Sequence, residues 1–173
     1  MTDIDKKDSA THRAATSPSS PPGWVITQAL LTAKGSPCRS KRGVVIYDPV
    51  TDHALGSGYN GPPELFGCPG RDLCRGKCGK LSIHAEARAL RAAAGGWPGA
   101  VELDLVHVEL APDGSVVACD GPSCWQCSRE IVEARSISGV WLYQVATVGA
   151  AWHRYGAVEF HLATLKRLEI YDF

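Results

Sequence analysis

The stretch Ser82-Ile83-His84-Ala85-Glu86 opens an Ala-rich segment, and Gly121-Pro122-Ser123-Cys124-Trp125-Gln126-Cys127 opens a second helical pattern downstream. The two cysteines stand at positions i and i+3, so both sulfurs lie on one face of a helical turn and can reach one ion. One imidazole, two thiolates and a carboxylate left free are the groups of a catalytic zinc site with an open fourth position. We therefore predict His84, Cys124 and Cys127 as zinc ligands and Glu86 as the catalytic residue.

A structural zinc or a redox pair is the alternative explanation of these motifs. A structural site normally fills all four positions with His and Cys, which would leave Glu86 without a purpose. Zinc with two thiolates and a neutral imidazole has a net charge near zero, so it should acidify a water less than an all-imidazole site does. A separate base is then needed. We expect Glu86 to shuttle protons while zinc-bound hydroxide attacks the substrate.

The remaining pattern alternates between helices and strands. Interleaving of this kind predicts an α/β fold with three layers, in which helices cover both faces of one five-stranded mixed sheet. A strand–helix–strand unit near the end predicts that the last two strands are parallel. We predict a polar loop around His153 and Arg154. The predicted helices are 24–33, 84–94, 123–134 and 157–168, and the predicted strands are 43–48, 53–59, 103–110, 116–118 and 140–143.

Length and composition limit the classes of protein to consider. The 173 residues suit one domain, which we place at 23–173 after a polar, disordered tail over 1–22 that is rich in Ser, Thr and Pro. Eighteen basic residues balance eighteen acidic ones, which argues against long nucleic acid as the substrate. No apolar stretch approaches the ~20 residues of a membrane helix. The seven cysteines, with no apolar signal stretch, predict reduced thiols in a cytoplasmic protein with no membrane association.

At these residues the chain resembles the cytidine and deoxycytidylate (dCMP) deaminase superfamily, as a divergent member nearest the dCMP branch. The resemblance runs from Trp24 to the C-terminus, and Gly58-Tyr59-Asn60-Gly61-Pro62-Pro63 is its most specific segment. It implies a cytidine-deaminase-like sandwich and a hydrolase acting on C–N bonds of cyclic amidines, in pyrimidine nucleotide metabolism. The substrate would be a small nucleotide or nucleoside, dCMP first, and the protein a homo-oligomer. The chain departs from the family where Ser123 separates Pro122 from Cys124.

The resemblance also implies roles for individual residues. Asn60 would hydrogen-bond the sugar 3′-hydroxyl, the backbone amide of Ala85 would hold the base O2, and the backbone around Ser123 would contact the exocyclic amine. Tyr143 would pack near the base or the sugar. Some dCMP deaminases hold a second, structural zinc in a cysteine loop, and loose thiols or a labile disulfide are the alternatives here. The residues for that second site are Cys38, Cys68, Cys74 and Cys78.

Some assignments stay open at the level of sequence. The basic residues Arg39, Lys41 and Arg42 could bind a 5′-phosphate, or they could form a solvated turn. His107 is predicted to be a satisfied strand histidine rather than a ligand. Alternative functions are a deaminase of cytosine or adenine in single-stranded nucleic acid, a deaminase of another small aminated heterocycle, and a non-enzymatic zinc module.

Overall fold

The computed structural model describes residues 18–68, 81–96, 102–119 and 121–170 of the chain. Within these ranges the regular structure consists of four α-helices and six strands, with a short 3₁₀ turn at Glu64–Phe66. Within the described ranges, no helix is long and apolar enough to cross a membrane. In chain order the elements are α1 Gly23–Lys34, β1 Lys41–Asp48, β2 His53–Tyr59, α2 Ala85–Ala93, β3 Leu103–Leu110, β4 Val116–Val117, α3 Trp125–Glu133, β5 Ile137–Val145, β6 Ala150–Gly156 and α4 Ala157–Arg167.

The strands form one mixed sheet in the order β2-β1-β3-β5-β6, and the short β4 pairs with β3. β1 is antiparallel to both β2 and β3, whereas β3 and β5 are parallel because α3 crosses between them. These findings confirm the α/β class and a mixed sheet with a parallel pair across a helix, which is β3 and β5, whereas the last two strands, β5 and β6, are antiparallel.

The sheet has six strands rather than the predicted five, because 150–156 forms a strand instead of a polar loop. β6 pairs antiparallel with β5 at the edge of the sheet and is only partly buried. In β6 the charged side chain of Arg154 interrupts the alternation of polar and apolar residues that identifies a strand. The Arg154 guanidinium lies 2.6 Å from the Asp104 carboxylate, which also accepts a hydrogen bond of 2.8 Å from Trp141 Nε1. Arg154 is exposed, and its cation neutralises the buried Asp104 carboxylate.

The sheet has a hydrophobic core on each face, as three layers require. Successive side chains of a strand point to opposite faces. Val45 and Tyr47 therefore pack toward α1, while Val44 and Ile46 pack toward α2, α3 and α4. The continuous apolar run of β1 is explained by burial on both sides.

Small residues bring α2 directly onto the sheet. A Cβ placed on Gly58 would lie 2.5 Å from the carbonyl oxygen of Ala85 and 2.6 Å from the nitrogen of Ala89. Because neither contact is sterically allowed, only glycine fits at this point of β2. The first turn of α2 is thereby held against the end of β2, where the Gly-Tyr-Asn-Gly segment begins.

Candidate active site

Two of the predicted zinc ligands occupy equivalent positions on two helices. His84 is the N-cap of α2 and Cys124 is the N-cap of α3, and both have extended backbone conformations. The Cys124 sulfur accepts a hydrogen bond of 3.4 Å from the backbone N–H of Cys127. An N-cap lies at the positive end of a helix dipole, so this placement favours a thiolate at Cys124.

The three predicted ligand atoms converge on one point. Nδ1 of His84 lies 3.2 Å from Cys124 Sγ and 3.3 Å from Cys127 Sγ, and all three atoms lie within 4.8 Å of one another. Tetrahedral zinc with ordinary Zn–S and Zn–N bonds would separate a sulfur from a nitrogen by about 3.5 Å. Both the donor set and its spacing therefore fit a zinc ion with little adjustment.

The three predicted ligand side chains alter one another's pKa. A hydrogen bond from Cys127 and the nearby His84 lower the pKa of Cys124 to about 4. The same Cys124 contact, together with burial, raises the pKa of Cys127. The hydrogen bond to Cys124 also raises the pKa of His84. Zinc requires both sulfurs as thiolates and the imidazole as a neutral ligand, so its binding would release protons from this cluster.

Glu86 lies beside the cluster on the first turn of α2 and is only 3% exposed. Its Oε1 accepts a hydrogen bond from the hydroxyl of Ser123, and Nδ1 of His107 lies 3.5 Å from the same oxygen. Burial opposes ionisation of Glu86, but His107, the Ser123 hydrogen bond, the backbone of the helix and His84 together lower the pKa of the carboxyl group. Burial lowers the pKa of His107, and the nearby Glu86 carboxylate opposes that shift.

Asn60 follows β2 directly, and its side chain forms hydrogen bonds with residues 36–42, at and before the start of β1. Its Oδ1 accepts hydrogen bonds from the Arg42 backbone N–H at 2.8 Å and the Ser36 hydroxyl at 2.9 Å. Its Nδ2 donates to the Ser40 carbonyl at 2.8 Å. One Nδ2 hydrogen has no partner among these contacts, so the predicted sugar contact remains a prediction. Asn60 borders a cavity of about 170 Å³ whose lining also includes His84, Ala85 and Glu86.

A second cavity, of about 290 Å³, adjoins the site. Its lining includes Ser123, Cys124 and His107, and Arg42 borders both cavities. Tyr143 also borders it, although the Tyr143 ring packs against Trp152 with the ring centroids 5.3 Å apart. The contact between Tyr143 and a base or sugar therefore also remains a prediction.

Two of the three basic residues after α1, Lys41 and Arg42, are engaged by other parts of the chain. Arg42 lies 3.2 Å from the Glu109 carboxylate, which also accepts a hydrogen bond of 2.7 Å from the Ser40 hydroxyl. Lys41 donates to the backbone carbonyl of Ser36. A phosphate that bound Arg42 would have to compete with Glu109, so the phosphate role stays a prediction.

The four-cysteine site is only partly covered by the described residues. Cys38 is half-buried, with its sulfur 3.9 Å from the Ser82 hydroxyl, and Cys68 is exposed. Cys74 and Cys78 lie outside the described residues, so a second structural zinc remains a prediction. In the described ranges, the group of side chains found close enough to hold a metal is His84, Cys124 and Cys127.

His107 was assigned the wrong environment from sequence. It lies in β3, but it is not satisfied: its Nε2 is buried and has no hydrogen-bond partner in the described part of the chain. Alternation from Leu105 places His107 on the face that α2 covers, beneath Glu86. That alternation was the sequence signal that could have identified its position.

Comparisons with known proteins bear on the fold. No family model matches the chain, and no curated protein matches it. Among solved structures, it is similar to the dCMP deaminase of cyanophage S-TIM5 in complex with dCMP and dUMP, with 18% identity, 86% of this chain and 94% of the other covered, and a TM-score of 0.51. The apo form of that enzyme matches with 22% identity over 68% and 77% of the two chains, at a TM-score of 0.49.

A third similar structure is the cytidine deaminase of Mycobacterium tuberculosis, with 18% identity over 76% of this chain and 90% of the other, and a TM-score of 0.42. The likeness to the dCMP-bound S-TIM5 structure extends over most of both chains. It confirms, at the level of the fold, the resemblance to the deaminase superfamily drawn from the motifs.

Proposed function

We propose that this chain, which has the cytidine-deaminase-like fold, is a hydrolytic deaminase of a cytosine nucleotide or nucleoside. The first candidate substrate is dCMP. One observation carries the proposal: three ligand atoms of a zinc site converge within 4.8 Å beside the buried carboxylate of Glu86. The ligand set leaves a coordination position for chemistry, because no fourth His, Cys, Asp or Glu atom joins the group among the described residues.

Zinc bound by His84, Cys124 and Cys127 would supply a Lewis acid that activates water for attack on the base. Glu86 then takes a proton from the attacking water and delivers protons to N3 and to the departing ammonia. Water adds at C4 and ammonia leaves, so cytosine becomes uracil. The hydroxyl of Ser123 holds the Glu86 carboxylate in place during these transfers.

The surroundings of Glu86 support a free small substrate. Cavities of about 170 and 290 Å³ border the site, and the larger one is close to the lower end, about 300 Å³, of the volumes typical of small-molecule sites. Formal net charge is zero, whereas proteins that bind long nucleic acid usually carry a basic face. By the motif resemblance, the Ala85 amide would hold the base and Asn60 the sugar.

A substrate panel tests the proposal. The zinc-loaded full chain is assayed for ammonia release on dCMP, CMP, deoxycytidine, cytidine and single-stranded DNA, with Glu86→Gln as the matched control. We expect turnover of a free cytosine compound and none by the variant. Turnover of DNA alone, with affinity that weakens steeply in salt, would instead indicate a polynucleotide deaminase. A function unaffected by Glu86→Gln would indicate a non-enzymatic zinc module.

The homo-oligomer implied by the motif resemblance is also proposed. Light scattering on the purified chain measures its mass in solution directly, and a monomer at micromolar concentration would contradict it.

A further inference from the structure

His107 is a polar residue between the apolar core under α2 and the cavity of about 290 Å³. It lies on the same face of the sheet as Leu105 and pairs in parallel register with Leu142, and both leucines belong to the core under α2. Its Nε2 is buried without a hydrogen-bond partner among the described residues. Buried polar atoms are nearly always satisfied, so an imidazole here costs stability that a third leucine would not. Because the His107 imidazole lowers stability here, its presence needs a functional explanation.

The explanation lies in the contact that His107 makes with its other ring nitrogen. Nδ1 lies 3.5 Å from Oε1 of Glu86, the oxygen that also accepts the Ser123 hydroxyl. An ionised carboxylate only accepts hydrogen bonds, so the Nδ1 that faces it carries a proton, and in the neutral imidazole Nε2 then bears the lone pair. Contacts of this kind are often long in a ligand-free site and shorten when the substrate binds.

The Ser123 hydrogen bond and the His107 contact meet on one carboxylate oxygen, and together they restrict the rotation of the group. Ser123 approaches from the loop before α3, and His107 approaches from β3 beneath the helix that carries Glu86. A carboxylate held by one oxygen keeps its second oxygen in a constant direction, which efficient proton transfer requires.

We propose that His107 is a positioning residue for Glu86, and that its Nδ1–H holds the proton-transferring carboxylate in its working orientation. This inference rests on the proposed deaminase function. It assigns His107 no contact with substrate or metal. It also explains why an imidazole lies at the edge of this core although its other nitrogen is unsatisfied.

Two amide substitutions separate this role from space filling. In His107→Asn the side-chain amide can place an N–H near the position of Nδ1, whereas in His107→Gln it places one near Nε2. Removing an outer-shell partner of a catalytic group typically costs about 10–100-fold in activity. We expect kcat to fall by that factor in His107→Gln and His107→Leu, with KM changed by less than about twofold, and His107→Asn to retain most of kcat.

Zinc content and thermal unfolding accompany these assays. We expect all three variants to fold and to bind the same amount of zinc as the wild type. His153 lies in β6, is exposed and packs on Tyr155 at 4.2 Å, so the same substitutions there serve as matched controls that keep kcat. Wild-type kcat in His107→Gln, or loss of kcat in both amide variants alike, would overturn the proposal. Failure of both amide variants to fold would make His107 a structural residue and would overturn it too.

The tautomer of His107 provides a readout that does not depend on activity. Nitrogen-15 NMR of the labelled imidazole should show Nδ1–H in the wild type, and Glu86→Ala should release His107 toward Nε2–H. Observation of Nε2–H in the wild type would contradict the inference. A wild type that is inactive on the whole panel would contradict the proposed function instead, and the tautomer would still be measured in that protein.

Discussion

Cys124 Sγ lies 3.2 Å from Nδ1 of His84, although the two residues are 40 positions apart in the chain. Each is the N-cap of its own helix, so the two helix starts meet at this contact. Their dipoles stabilise negative charge at the same point, where Cys124 already has a pKa of about 4. The sheet makes the meeting possible, because α2 and α3 both pack on the face that buries Val44, Leu105 and Leu142.

Replacement of Glu86 by Gln tests proton transfer separately from metal binding. The amide fills the same space but cannot take up a proton, and general acid–base catalysis contributes about 10²–10⁴-fold. We expect kcat for the preferred substrate to fall by at least that factor while zinc content is unchanged. Steady-state kinetics with metal analysis on the same preparation measures both. Loss of zinc in this variant would mean that Glu86 is a ligand rather than a proton shuttle.

Replacement of Cys127 by Ser tests the metal site. One thiolate is lost from a three-residue set, so we expect little zinc to copurify and the melting temperature to fall to that of chelator-treated wild type. Cys119→Ser is the matched control, since Cys119 is outside the group of atoms that converge on the metal. We expect that control to keep its zinc. A zinc-replete Cys127→Ser variant would contradict the assignment.

Replacement of Ser123 by Ala removes a hydrogen bond to Glu86 and leaves the backbone in place. The carboxylate oxygen keeps only the weaker His107 contact, so we expect kcat to fall by about tenfold while KM changes little. In a double-mutant cycle with His107→Leu, the two effects should be non-additive because both donors act on one oxygen. Additive effects would indicate that the two residues act independently.

Arg88 joins α2 to the segment that follows Asn60. Its guanidinium donates to the carbonyl oxygens of Gly61 at 3.2 Å and Pro62 at 2.6 Å, and it lies over the Tyr59 ring at 4.8 Å. We expect Arg88→Met to lower the free energy of unfolding by about 1–2 kcal/mol, because two carbonyls lose a charged donor. KM should also rise, because this segment adjoins Asn60, which borders the cavity proposed to bind the substrate.

Arg91→Met is the control for that substitution. Arg91 is exposed in the last turn of α2, and a surface change there should stay within about 0.5 kcal/mol in denaturant unfolding. Equal effects of the two substitutions would show that the Gly61 and Pro62 contacts do not stabilise the fold.

Substitution of Gly58 by Ala tests the close approach of α2 to the sheet. The added Cβ would lie 2.5 Å from a backbone oxygen, so α2 would have to shift, at a cost of about 1–3 kcal/mol. Because His84 and Glu86 begin this helix, we also expect weaker zinc binding, measured by competition with a chelator. Gly23→Ala, which meets no atom within 4 Å, should leave both quantities unchanged.

The sequence alone was enough to identify the features that depend on local spacing. Cys124 and Cys127 at i and i+3 share one helical face in any context, and the Ala-rich run after His84 forms a helix wherever it packs. The apolar run of β1 and its turn into β2 likewise set the hairpin without reference to distant residues. For this reason the α/β class and the three layers were predicted correctly, and the three predicted ligands stay a prediction that their grouping in the structure supports.

Tertiary structure decided the features that depend on residues far apart in sequence. β6 was missed because Arg154 interrupts its alternation, and the pairing of Arg154 with the buried Asp104 of β3 forms only in the folded sheet. The environment of His107 was predicted wrongly because its neighbours in the chain are valines. The residue that determines its environment is Glu86, which lies in α2 and is distant in sequence. The periodicity of a sequence predicts which face of the sheet a side chain occupies. Which residue it contacts on that face depends on how the layers pack together.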